Sequence, residues 1–141
     1  MKHTMIMLAA LLIGVTLFAQ TGEIQVTIKG VTPEWGGTIR VGLYSEADFP
    51  KEGYSLASQV IPARALEQQV IFLDIGAGNY AIALFQDLNS DGKLNRNFYG
   101  APTEPYAFSN NVFERFGPPK FADVAFSVNG ADSTVLSINL E

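Results

Sequence analysis

Residues 23–29 alternate without exception: Ile24, Val26 and Ile28 fall on one side, and Glu23, Gln25, Thr27 and Lys29 on the other. Successive side chains of a β-strand point to opposite faces, so this segment reads as a strand with one buried and one solvated face. The same period returns at residues 38–44 through Ile39, Val41 and Leu43. Residues 80–86 are apolar almost throughout, as a central strand covered on both faces must be. Further strands are expected at residues 58–61, where Pro62 argues for a sheet edge, and at residues 69–75, 123–128 and 133–140. Asn129-Gly130 stands between the last two as a hairpin signal.

Seven short strands, frequent glycine turns and little helical periodicity predict an all-β fold. The expectation is an antiparallel seven-stranded β-sandwich, immunoglobulin-like or transthyretin-like, with a small barrel as the alternative. The chain has 141 residues, and its beginning has the layout of a secretory signal. Lys2 and His3 precede an apolar run to Phe18, and Ala19 offers a small residue for cleavage before Gln20. About 14 apolar residues fall short of the roughly 20 that span a bilayer, so residues 1–19 are expected to be removed. Residues 20–141 then form one domain, exported to the periplasm or beyond the cell, with no membrane span.

The exported part carries all fourteen acidic side chains and eight of the nine basic ones, Lys2 being lost. An acidic surface repels phosphate backbones, which argues against a nucleic-acid partner. Cysteine is absent and the single histidine is His3, so the exported chain has no serine–histidine triad, cysteine–histidine pair or ordinary zinc site. Paired-carboxylate hydrolysis of an envelope polysaccharide is the enzymatic alternative, drawing on Asp74, Asp87, Asp91 or Glu104. The main expectation is a non-enzymatic binding or structural module.

Two segments carry the functional expectations. Asp87, Asn89, Asp91, Lys93 and Asn95 occupy relative positions 1, 3, 5, 7 and 9 of a loop with Gly92 at position 6. That spacing matches most of a calcium loop, with the backbone carbonyl of Lys93 serving at position 7. Position 12, where an EF-hand supplies a bidentate carboxylate, is Phe98, so any further ligand has to come from elsewhere, with Asn97 and Glu104 as candidates. The alternative is an Asx-rich turn in which these side chains bond their own backbone. Residues 98–121 then run without a clear strand but hold seven aromatic rings, too many for a solvated linker. A helical turn is expected at residues 112–116, capped by Ser109 or an asparagine. Tyr99, Tyr106 and Phe108, with Asn110 and Asn111, are candidates to line a groove for a protein, peptide or glycan; the alternative is a satellite core. Trp35 is assigned no role.

The ordered string of residues 80–95, then Asn97-Phe98-Tyr99-Gly100, Pro102, Glu104-Pro105-Tyr106, Phe108-Ser109-Asn110-Asn111 and residues 115–121, resembles the bacterial exported family called domain of unknown function 2141. The resemblance spans roughly residues 22–140. It implies an immunoglobulin-like or transthyretin-like sandwich of the cell envelope and no established activity. Asn95 stands where the family more usually has an aspartate.

Overall fold

The computed structural model describes Gly14 and residues 17–141, so most of the expected signal segment lies outside the described residues. Eight strands form two sheets: β1 Thr21–Lys29, β2 Thr38–Tyr44, β3 Ala57–Pro62, β4 Glu67–Gly76, β5 Gly78–Asp87, β6 Tyr106–Phe108, β7 Phe126–Val128 and β8 Ser133–Asn139. β1 is the middle of a three-stranded sheet, antiparallel to β4 and parallel to β8. The second sheet runs β3-β2-β5-β6, and β7 pairs with the beginning of β5.

The alternation read from the sequence is the packing of this sandwich. Ile24, Val26 and Ile28 from β1 meet Ile39, Val41 and Leu43 from β2, and all six are buried. Val70 and Phe72 of β4, Ile82 and Leu84 of β5, and Ile138 of β8 complete the layer between the sheets. Fully burying each of these side chains is worth about 1.5–3 kcal/mol. With cysteine absent, no disulfide adds to this layer. Pro62 does end an edge strand, where its missing N–H breaks no ladder.

Four expectations are corrected. There are eight strands rather than seven, because Tyr106–Phe108 forms a short strand inside the aromatic segment. Residues 123–128 are not one strand: Phe121–Val124 is a single-turn helix, α1, and only Phe126–Val128 pairs in a sheet. Asn129-Gly130 makes a turn but not a hairpin. Asn129 Oδ1 accepts from the amides of Ala131 and Asp132, and the chain then leaves β7 in one sheet for β8 in the other. The turn chemistry was legible, while the strand partner was decided by which apolar face each strand had to bury. Finally, residues 112–116 form no helical turn: in the aromatic segment Ser109–Asn111 makes a turn whose two asparagines are left-handed, and α1 is its one helical turn among the described residues. Among the described residues no helix is long and apolar enough to cross a membrane.

Candidate functional site: a groove on the outer face of the larger sheet

The register of β3, β2, β5 and β6 sets two rows of side chains side by side on the outer face. One row reads Val60, Arg40, Phe85 and Tyr106; the next reads Ser58, Gly42, Ala83 and Phe108. Three small residues in the second row leave a depression across the sheet. Both rows line a groove of about 270 Å³. This is slightly below the roughly 300–1,000 Å³ of pockets that enclose a whole drug-sized ligand, and suits part of a longer one.

Two loops raise its walls. Pro50, Glu52, Gly53 and Ser55 come from the connection after β2, and Gly92, Leu94 and Arg96 from the acidic loop after β5. At the β2 end the Tyr44 ring lies over Gly42, so close that a Cβ at residue 42 would sit 2.7 Å from Tyr44 Cε2. Glycine inside a strand often marks such an approach, and this signal was available in the sequence. Burial, reinforced by the neighbouring Glu52, raises the Tyr44 phenol above its ordinary pKa.

The acidic loop is held mostly by its own hydrogen bonds. Asp87 is fully buried; its Oδ2 accepts from Arg40 Nε at 2.6 Å and from the Gly92 amide, and its Oδ1 accepts from the Asp91 amide. Asn89 Oδ1 also accepts from the Asp91 amide, and Asp91 Oδ1 from the Lys93 amide. Asn95 Nδ2 donates to Asp91 Oδ2 at 2.8 Å. The bond from Asn95, then that from the Lys93 amide, hold the Asp91 carboxyl below its ordinary pKa. Glu104 joins the same loop from the next segment, accepting the amides of Leu88 and Asn95 on its two oxygens. Asn97 does not; it closes the turn at residues 97–101 by accepting from Tyr99 and Ala101. Among the described residues no cluster of three histidine, cysteine, aspartate or glutamate side chains has the geometry of a metal centre.

The aromatic segment divides in two. Phe108 and Tyr106 line the groove and pack with Phe49, Phe121 and Val124 into a second apolar cluster on the outer face of the sheet. Phe49 meets Tyr44, Phe108 and Phe121 edge-on, with centroids 5.8–6.0 Å apart. Phe98 and Tyr99 instead stand almost wholly in solvent at the tip of the turn, ring against ring. Tyr99 is therefore outside the groove lining. Asn110 and Asn111 also serve elsewhere. Both adopt left-handed backbone geometry, which asparagine tolerates. Asn110 Nδ2 donates to the carbonyls of Asp123 and Ala125, while Asn111 bonds the carbonyl of Ser137 and the amide of Asn139.

Sequence reasoning thus placed Tyr106 and Phe108 at the groove and missed Arg40, Gly42, Glu52 and Arg96. Arginine on a solvated strand face carries no signal by itself; the register that gathers it with its neighbours does. In comparison with known proteins, a family profile described as "Uncharacterized protein conserved in bacteria (DUF2141)" matches residues 26–136. No curated protein and no solved structure matches.

Proposed function

This chain belongs to the DUF2141 family, and from that premise we propose that it is an exported envelope module, immunoglobulin-like or transthyretin-like, that binds an extended peptide without transforming it. The observation that carries this reading is the groove across Gly42 and Ala83, walled by Tyr44, Tyr106 and Phe108. The floor is sheet backbone whose hydrogen bonds are satisfied between strands, so a ligand there is held by side chains rather than added as a further strand. The lining is mostly apolar or small. An extended peptide offers apolar side chains at alternate positions, which the apolar and aromatic lining receives.

Export is supported by the charged start, apolar run and small residue before Gln20. Binding is favoured over carboxylate hydrolysis by the carboxylates themselves. Glu52 is the carboxylate in the groove lining, whereas Asp87 and Glu104 lie beneath the surface with oxygens engaged by Arg40 and by backbone amides. A hydrolase needs two carboxyl groups about 5–10 Å apart across an open cleft. The acidic loop enters the reading as a wall, its hydrogen bonds fixing Gly92 and Leu94 at the groove edge. Calcium binding is the second role open to it, and is tested below.

The deciding experiment probes arrays of peptides and of envelope oligosaccharides with the exported protein and with Ser58→Trp, which fills the floor from an exposed position on β3. Peptide binding that this substitution abolishes is expected. Glycan binding lost in the same way would replace the ligand class, and binding indifferent to the substitution would overturn the groove.

A further inference from the structure

Resting on that reading of the groove, we infer that its Arg40–Arg96 end takes the C-terminal carboxylate of the bound peptide, with the preceding residues lying over Ala83 and against the Tyr44 ring. Arg40 uses Nε on Asp87, and among the described residues its two terminal nitrogens have no protein acceptor. They lie 3.6 and 3.9 Å from where a side chain at Gly92 would begin, which places the guanidinium beside the left-handed turn of the acidic loop. The bond to Asp87 fixes the plane of the fork in advance, which lowers the ordering needed when a carboxylate docks on it. Arg96 faces the same end, with one terminal nitrogen on the Gly100 carbonyl and, among the described residues, no carboxylate within salt-bridge distance.

Charge sets the direction of the ligand. Glu52 stands with the Tyr44 end of the groove and repels an anion there, while two of the chain's four arginines converge on the other end. Asp91 and Lys93, both exposed on the acidic loop, offset one another. Asp87 balances Arg40, and Glu104 is buried behind the loop with both oxygens on amides. In the groove lining itself the cations Arg40 and Arg96 stand against the single carboxylate Glu52, and Arg40 supplies the oriented donors.

The test uses a library of random-sequence peptides with free C-termini and the same library amidated, applied to the exported protein and to its Arg96→Gln, Arg40→Lys and Ser58→Trp variants, with circular dichroism checking each fold. The expected result is selection of free-acid peptides, about tenfold or more weaker binding once amidated or with either arginine changed, and loss of both libraries in Ser58→Trp. Equal binding of acid and amide that Ser58→Trp still abolishes would overturn the carboxylate and leave the groove standing. Amidated peptides selected for an internal aspartate or glutamate would overturn the C-terminal assignment. No binding by either library, or binding untouched by Ser58→Trp, would overturn groove and carboxylate together.

Discussion

Arg40 and Asp87 sit diagonally across the β2–β5 pair: Thr38 is the strand partner of Asp87, and Arg40, two residues further on, reaches back to bond its buried Oδ2 at 2.6 Å. One contact thereby ties the groove floor to the first residue of the acidic loop. Asp87 also holds the amides of Asp91 and Gly92, so its carboxylate organises the loop as well as the pair.

Replacing Asp87 by alanine should therefore destabilise the protein well beyond a surface change. Removing one partner of a buried ion pair costs about 3–5 kcal/mol, and the low end is expected because the Arg40 side chain is 31% exposed. Denaturant unfolding measures it. A loss under about 1 kcal/mol would mean that the pair is no more than a surface contact.

Calcium gives a second test of the same carboxylate. A cation at the loop must compete with the Arg40 guanidinium for Asp87 and with the Asn95 side chain for Asp91, whereas the backbone amides can stay on the remaining lone pairs. The hydrogen-bonded loop is expected to prevail, leaving the unfolding midpoint of chelator-treated protein unchanged on adding calcium. Any ligand that binds the native state alone must raise that midpoint. A rise abolished by both Asp87→Ala and Asp91→Ala would instead make the loop a calcium site.

The loop should loosen in acid. Because hydrogen bonds lower the Asp91 pKa in the folded state, its contribution is fully present above the unfolded value of about 3.9 and is lost as pH falls through the lower folded value. The midpoint difference between the parent and Asp91→Asn should shrink over that window. A difference that stays constant from about pH 6 to about pH 2.5 would show that the Asp91 charge is not responsible.

Gly42 and Tyr44 should be coupled. An alanine at residue 42 must push the Tyr44 ring aside, an overpacking cost of about 1–3 kcal/mol. In a Tyr44→Ala background the same substitution should cost nearly nothing, and a double-mutant cycle reads the difference. Additive effects would place the ring elsewhere.

Ser109 joins three elements: its hydroxyl accepts from the Ile82 amide of β5 and donates to the Val124 carbonyl of α1, while its own residue follows β6. It is fully buried. Ser109→Ala leaves a buried amide and carbonyl unpaired, at about 1–3 kcal/mol. Hydrogen exchange at Ile82 should speed up with it; unchanged exchange and stability would mean that water replaces the hydroxyl.

Much of this protein was written locally. Alternation placed the strands through Ile24, Val26, Ile28, Ile39, Val41 and Leu43, because period-two burial needs no knowledge of the partner. The spacing of Asp87, Asn89, Asp91 and Gly92 marked a tight loop, since Asx side chains bond amides two residues on. What each strand pairs with was decided only in three dimensions. The turn at Asn129 leads to a crossover because β8 buries Ile138 beside β1, and not beside β7. The groove is likewise a product of register: Arg40, Gly42, Ala83 and Phe108 are scattered in sequence and become neighbours because three strands align. Local pattern sets which face a residue takes, whereas long-range pairing sets which residues share that face, and a binding surface belongs to the second kind of information.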